Sequence, residues 1–396
     1  MKKNRLPFGP LDWIAIVLLA GGGVCVGTGL LPTHDADATM RRILPILLFL
    51  ATILVLAELT AEAGLFDMIA VRLARTGRQN FAALFALCVA FASVTTITLN
   101  LDTTAVLLTP VMLALATRLK IPPLPLAMTT VWLANTASLL LPVSNLTNLL
   151  AANRVDLAPV AFASRMWAAQ IASIAATMLF LWTFYWRARQ RGAERYELPP
   201  PYQVQDLILL RVAGIACLFF IGALLGGVQL EVASSIAMTV LLVAFVVRRR
   251  SALRPALIPW RLPVFVTGLF LVVQTISLHV LHPALSALIG SSGGWEGTFR
   301  AAAAGAGLSN LLNNLPTYLA GEAAVRVPNH IQLLGLLIGT NVGPIITPWA
   351  SLATLLCYER CRVQGVPVPL PTFMLTGAGL AVTGVAASVG ALLLTR

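Results

Sequence analysis

The sequence NTASLLLPVSNLTNLL, residues 135–150, occurs a second time in altered form as NVGPIITPWASLATLL, residues 341–356. Aligned without gaps, the two copies match at their first asparagine and at one proline, which is Pro142 in the first copy and Pro348 in the second. Matches between apolar residues arise easily by chance in this chain, but matches of asparagine and proline do not. The sequence therefore predicts two related halves.

Each copy lies in a long apolar run that contains proline. A proline inside a helix removes a backbone donor and clashes with the preceding turn. We therefore expect helix breaks at Pro142 in the first copy and at Pro344 and Pro348 in the second. A further break is expected at Pro316, in the stretch SNLLNNLPT.

The composition places the chain in a membrane. Of its 396 residues 58% are hydrophobic and only 11% are charged, whereas soluble domains carry about 25% charged residues. Apolar runs long enough to span a bilayer predict helices at residues 12–31, 43–64, 123–153, 160–187, 207–226, 229–247, 262–282, 331–357 and 371–394. Two further apolar segments, 81–118 and 298–327, have a polar patch at the middle, which fits either a re-entrant hairpin or a pair of spans.

The basic residues predict the orientation. With the amino terminus in the cytoplasm, the 27 lysines and arginines divide as 20 inside against 7 outside, as the positive-inside rule requires. The first copy then runs outward and the second runs inward, so the repeats are inverted, which is a pattern typical of transporters. We expect a first repeat at 1–187, a cytoplasmic linker with a connecting helix at 188–228, and a second repeat at 229–396.

The stretch VTTITLNLDTTAVLLTP, residues 94–110, places a carboxylate in an apolar region. An acid at this depth costs about 3 kcal/mol on insertion scales and usually faces a pathway or a partner. Asp102 is therefore expected to carry a proton or to bind a cation. The alternative is a structural carboxyl that caps a helix beginning at Thr103.

Amides and hydroxyls cluster around the predicted breaks. They are expected to line a solute site between the halves, although polar side chains also join helices to one another in membranes. The lining suits a small neutral polyhydroxylated solute or an ion held by backbone dipoles. The predicted site consists of Asn100, Asp102, Thr103, Thr104, Asn135, Ser144, Asn145, Asn313, Asn314, Thr317, Asn341, Thr347 and Ser351.

Other functional classes fit the sequence poorly. The net charge of +12 lies in short clusters between apolar runs, which sets orientation and does not indicate nucleic-acid binding. The HExxH zinc motif, a glycine-rich phosphate loop and a second central membrane acid are all missing, so we expect neither an enzyme nor a cofactor.

The quoted motifs resemble the arsenite/antimonite permease (ArsB-type) family of the ion-transporter superfamily. The resemblance also covers GLFDMIAVRLARTGRQNFAALFALCVAFASVTTITLNLDTTAVLLTPVML, residues 64–113. It implies an all-α polytopic protein of about 9–11 spans, with two inverted repeats that each contain a re-entrant hairpin and a broken helix. Five residues fall on the polar motifs of this family, namely Asn100, Asp102, Asn145, Asn313 and Asn314.

The resemblance implies proton-coupled efflux of arsenite or antimonite from the bacterial cytoplasm. A homodimer and a soluble arsenic-pump ATPase are the partners that it suggests. Leu101 separates Asn100 from Asp102, whereas the family commonly has these two residue types adjacent. Relatives carry carboxylates, sulfate, silicic acid or sodium, so a carboxylate or inorganic-anion transporter of the same fold is the first alternative, and a passive channel is the second.

Overall fold

The structure is a computed structural model that describes residues 10–187, 195–254, 257, 260–276, 282–290, 292–325 and 329–395. No strand occurs within these residues. The helices are α1 Pro10–Gly27, α2 Thr33–Glu62, α3 Leu65–Thr76, α4 Phe81–Leu99, α5 Leu101–Leu119, α6 Leu124–Thr136, α7 Leu146–Val155, α8 Pro159–Phe184, α9 Leu207–Leu225, α10 Leu230–Arg248, α11 Arg261–Ile276, α12 His282–Ile289, α13 Gly294–Leu312, α14 Asn314–Ala324, α15 His330–Val342, α16 Leu352–Val363 and α17 Leu370–Leu394.

Long apolar helices dominate the described part of the chain. Seven are long and apolar enough to cross a membrane, in α2, α4, α5, α8, α9, α10 and α17. Shorter apolar helices occur in α1, α11 and α15. The chain is thus an all-α polytopic membrane protein, as the composition predicts.

The two runs that contain the repeat are broken helices. The first consists of α6, an unwound segment at 137–145, and α7, and the second consists of α15, an unwound segment at 343–351, and α16. Pro142 and Pro348 occupy equivalent places, because each begins a three-residue 3₁₀ turn. α6 packs against α16, and α7 packs against α15. The first half of each helix thus lies beside the second half of the other, so the two helices are antiparallel.

The segment with the first polar patch is a re-entrant hairpin. α4 and α5 meet at Asn100, whose φ is 91°, and the hydroxyl of Thr96 donates to that of Thr104 at 3.1 Å, which requires the chain to reverse. The ends of α4 and α5 that lie away from Asn100 contact the same segment, residues 196–197. Tyr196 packs edge-on against Phe81 at the start of α4, and Glu197 accepts a hydrogen bond from Lys120, which follows α5. The tip lies beside the first unwound segment, where Ser144 donates to the carbonyl of Ile97.

The second hairpin repeats this arrangement. α13 and α14 meet at Asn313, whose φ is 104°, and pack against each other. The hairpin is held close to α15 by small residues. A Cβ at Gly339 would overlap the carbonyl oxygen of Ala302, and one at Gly335 would lie 2.6 Å from Thr298 Cγ2.

Two hydrogen bonds between the broken helices are related by symmetry, because each joins the same two positions of the repeat with the copies interchanged. The Asn135 amide donates to Thr354 at 3.1 Å, and the Asn341 amide donates to Asn148 at 2.6 Å. The ungapped alignment pairs Asn135 with Asn341 and Asn148 with Thr354. The copies are therefore related as inverted repeats. The boundaries at 187 and 228 stay predictions, and residues 188–194 of the expected linker lie outside the described residues.

Candidate substrate site

Four helix N-termini converge on one small cavity between the two halves. The first residues of α5, α7, α14 and α16 border it. Three of these helices are capped by an asparagine side chain: Asn100 accepts from Thr103 N at 2.8 Å, and Asn145 and Asn313 cap α7 and α14 in the same way. The fourth helix, α16, begins after Ser351, whose side chain makes no capping bond.

This convergence makes the cavity electropositive. Each helix N-terminus carries the equivalent of roughly half an elementary positive charge and presents backbone N–H groups. Two N-termini come from the hairpin tips and two from the unwound segments. The site therefore suits oxygen-rich or anionic groups, although the described lining contains no lysine or arginine.

Asp102 supplies the negative charge of the cavity. It lies in the first turn of α5, where the helix dipole favours a carboxylate. Asn100 caps this helix, so the alternative in which the Asp102 carboxyl is the cap is wrong. Within the described residues no side chain forms an ion pair or a hydrogen bond with that carboxylate. The group is thus placed to bind a proton or an incoming solute.

The cavity is small. The space open to the centre of a water-sized sphere is about 40 Å³, which holds about three water molecules at 10–15 Å³ each. Apolar side chains close it on two sides, namely Phe49 and Leu50 from α2 and Phe265 and Val266 from α11.

The structure gathers part of the predicted set at this cavity. The predicted residues that border it are Asn100, Asp102, Asn145, Asn313, Asn314 and Ser351. Thr103 is buried beside Asp102, and its hydroxyl has no partner within the described residues.

The remaining predicted residues make structural hydrogen bonds outside the cavity lining. Thr104 donates to the Asn100 carbonyl, and Thr317 donates to the equivalent carbonyl of Asn313. Ser144 donates to the Ile97 carbonyl at 3.0 Å.

Two predicted asparagines and one threonine join the broken helices to their surroundings. Asn135 bonds to Thr354, whereas Asn341 also accepts from Thr147. Thr347 donates to the carbonyl of Asn310 at 2.9 Å.

The prolines mark the breaks with one exception. Pro142, Pro344 and Pro348 lie in the unwound segments. Pro316 lies in the first turn of α14, where its missing N–H removes no helical bond. The interruption in that segment is at Asn313.

Sequence reasoning missed the side chains that satisfy the unwound backbone. Gln170 on α8 accepts from Leu139 N at 2.7 Å and donates to the Thr136 carbonyl, to which Ser173 also donates. In the second copy Asn310 accepts from the N–H groups of Ile346 and Thr347. Gln170 carried a signal, because it is an isolated amide in an apolar span.

Known proteins resemble this chain along most of its length. The sequence model of the citrate transporter family, CitMHS, matches residues 10–354. An arsenical pump membrane protein of Escherichia coli is 29% identical over 358 residues, which cover 82% of this chain and 80% of that protein. The arsenical pump membrane protein of Escherichia coli K12 is 27% identical over 93% of this chain and 89% of that protein. The one of Yersinia enterocolitica is 29% identical over 82% of this chain and 80% of that protein.

The fold also resembles a solved transporter. The crystal structure of the Alcanivorax borkumensis YdaH transporter, described as having an unusual topology, aligns with a TM-score of 0.55 over 97% of both chains. The identity is 16%, so the likeness concerns the fold.

Proposed function

Because the chain belongs to the citrate transporter family, and is therefore a membrane transporter, we propose that it exports arsenite and antimonite in exchange for protons by alternating access. The observation that carries the proposal is the small cavity at which four helix N-termini meet the carboxylate of Asp102. The arsenical pump proteins that it resembles favour the same solute class.

The size of the cavity separates the candidate solutes. As(OH)3 is little larger than the few waters that 40 Å³ accommodates. Its hydroxyl oxygens accept from helix N-terminal N–H groups, and its O–H groups donate to a carboxylate or an amide oxygen. Citrate, a tricarboxylate on a carbon chain, needs a larger space than this conformation offers.

Asp102 is the proposed coupling residue. In its charged form the carboxylate accepts from a hydroxyl of As(OH)3, and a proton arriving from outside replaces the solute on the same oxygen. Solute and proton then compete for one group, which is the simplest arrangement for exchange.

The decisive experiment measures efflux. Cells that lack their own arsenite pump should contain less arsenic when they express the protein, and Asp102→Asn should abolish the reduction because an amide releases no proton. The matched control is Asp156→Asn, at an exposed aspartate between α7 and α8, which should export normally. Equal arsenic content in cells with and without the wild-type protein would overturn the proposal.

The coupling needs a purified system. In proteoliposomes an imposed pH gradient should drive arsenite movement, and an uncoupler should stop it. Flux that ignores the gradient would identify the passive channel instead. Sodium- or proton-driven uptake of citrate, succinate or sulfate, without arsenite transport, would identify the carboxylate or anion transporter.

We also propose the remaining expectations about the cellular setting. The protein lies in the inner membrane of a bacterium, with its amino terminus in the cytoplasm. The distribution of the basic residues supports this orientation. A homodimer and a soluble arsenic-pump ATPase are the proposed partners. Co-expression with such an ATPase, followed by purification of the membrane protein, tests whether the two proteins bind each other.

A further inference from the structure

A second cavity lies next to the candidate site. It is enclosed by α2, α7, the start of α8 and the loop between α9 and α10, and we name it the outer chamber. The space open to a water-sized sphere is about 290 Å³, against about 40 Å³ in the central cavity. The chamber is thus large enough for a small solute together with hydrating water.

In the proposed orientation the outer chamber faces the extracytoplasmic side. The loops at its mouth, 156–158 and 226–229, lie at the opposite end of the bundle from Arg248, which pairs with Asp206 on the basic side. Its polar groups are Asn153, Gln229 and Glu231, so it offers amide and carboxylate oxygens together with amide N–H donors.

Among the residues that the structure describes, two border both cavities. Phe49 and Leu149 line the central cavity and also the outer chamber. Because the same two side chains border both cavities, a single layer of side chains separates the cavities there, and we call this layer the partition. Both residues are buried, with exposed fractions of 3% and 7%.

The two residues of the partition lie on different helices, which pack against different neighbours. Phe49 is on α2, where its ring stacks on Phe220 at a centroid distance of 6.5 Å, and one turn away Thr52 bonds to Ser234 on α10 at 2.7 Å. Leu149 is on α7, the half-helix whose N-terminus forms part of the central cavity. α7 is itself bonded to α15 through Asn341, so a movement of α7 with α15 relative to α2 would separate Leu149 from Phe49 and join the cavities.

We propose that the outer chamber is a second, exit-side site for a small oxygen-rich solute, and that Phe49 and Leu149 form the partition that limits which solutes leave the central cavity for it. The inference deepens the proposed export function and rests on it for the identity of the solute. The partition is a property of the described structure, and it can be tested without any arsenic compound.

The test measures access from outside to a thiol in each cavity. In a background with all five native cysteines replaced by alanine, Asn153→Cys reports on the outer chamber and Val143→Cys, which borders the central cavity, reports on the other side of the partition. A membrane-impermeant cationic methanethiosulfonate should label the first thiol rapidly and the second slowly.

Removing the ring should open the partition. Phe49→Ala leaves a void where the partition stood, and we expect labelling of the central thiol to accelerate at least about tenfold. Leu149→Ala should act in the same direction. The matched control is Leu48→Ala, because Leu48 precedes Phe49 on α2 and is half-exposed on the outside of the bundle, and it should leave the rate unchanged.

Three results would overturn the inference. They are a slow reaction of the thiol at position 153, a central thiol that reacts equally fast with and without Phe49, and an equal acceleration by Leu48→Ala. Size-exclusion chromatography identifies a misfolded variant, and Phe49→Val then replaces Phe49→Ala. If the labelling pattern is as expected but arsenite is not transported, the proposed function fails while the partition stands.

Discussion

At the scale of single residues, the central cavity contains one hydroxyl that the fold does not use. Asn100, Asn145 and Asn313 each cap the helix that follows. Ser351 occupies the fourth capping position, yet its hydroxyl has no partner within the described residues. A buried hydroxyl without a partner costs about 1–3 kcal/mol, and at the cavity wall a bound solute would supply the missing partner.

Replacement of Ser351 should therefore weaken solute binding while folding is retained. Ser351→Ala removes one hydrogen bond of about 1.4 kcal/mol, which should raise the KM for arsenite about tenfold. The thermal midpoint should stay the same or rise. Ser309→Ala is the matched control, because Ser309 on α13 is equally buried and unpartnered but does not border the cavity. Equal KM values for both variants would contradict a binding role for Ser351.

The sequence indicates which polar residues surround the breaks, but it does not tell which of them face the cavity. Asn313 and Asn341 look alike in sequence, yet only Asn313 borders the cavity, whereas Asn341 bonds to the other broken helix. Helical periodicity fixes the direction of a side chain only inside a helix. At Asn100 and Asn313 φ is positive, so the backbone turns out of that period.

At the scale of helices, one amide fastens the second hairpin to the second break. The Asn310 side chain accepts from Ile346 N at 3.1 Å and from Thr347 N at 3.0 Å, and it donates to the Gly343 carbonyl at 2.9 Å. The equivalent residue of the first hairpin is Ile97, which contributes only its carbonyl. The second joint is therefore the more tightly held.

Asn310→Leu should destabilise this joint strongly. It leaves two N–H groups and one carbonyl without their partners, which should lower the free energy of unfolding by about 3 kcal/mol or more. Thermal unfolding in lipid nanodiscs measures the loss. Ile97→Leu, an apolar exchange at the equivalent position, should cost under about 1.5 kcal/mol. Similar losses in the two variants would show that the amide does not hold the joint.

An ion pair joins the start of α9 to the end of α10. Arg248 Nε donates to Asp206 at 2.8 Å, and this hydrogen bond lowers the pKa of the carboxyl below its usual value. Its stabilisation is thus present at pH values above the unfolded pKa of about 3.9 and is lost as the pH falls through the lower folded value.

Asp206→Asn gives a pH test of that pair. The amide oxygen still caps α9 in place of Oδ1, whereas an NH2 group replaces the Oδ2 that accepts from Arg248, so the ion pair and its hydrogen bond are removed together. The thermal midpoint should be lower than that of the wild type at neutral pH, and the difference should shrink below about pH 4 as the wild-type carboxyl is protonated. A difference that does not depend on pH would exclude the ion pair as its cause.

Hydropathy indicates where apolar runs lie, but it does not show where they unwind. Hydropathy alone predicts continuous spans at 123–153 and 331–357, whereas the prolines predict the breaks, and each run forms two helices in the structure. The stop at Thr136 is held by Gln170 and Ser173, two side chains of a later helix. Such a partner is fixed by packing between distant segments, which local sequence patterns do not contain.

At the scale of the whole molecule, the inverted halves and the basic residues together support the proposed orientation in the membrane. The described segments of the first half begin on the side rich in arginine, and the related segments of the second half run in the opposite direction. From the positive-inside rule we expect the amino terminus inside and the carboxyl terminus outside.

Reporter fusions test this arrangement. A green fluorescent protein should fluoresce at the amino terminus and stay dark at the carboxyl terminus, whereas alkaline phosphatase should be active only at the carboxyl terminus. The reverse pattern in both reporters would contradict the orientation and would place the outer chamber on the cytoplasmic side. A fusion to the loop after Arg248 is the internal control for the cytoplasm.

The bonds that cross between the broken helices have a consequence for how the protein is made. The amide of Asn135 donates to the hydroxyl of Thr354, which is synthesised 219 residues later. Until the ribosome has delivered the second half, that amide stays in the bilayer without its final acceptor. A chain truncated after the first half should therefore be recognised by quality-control proteases, and co-expression of the missing half should protect it from degradation.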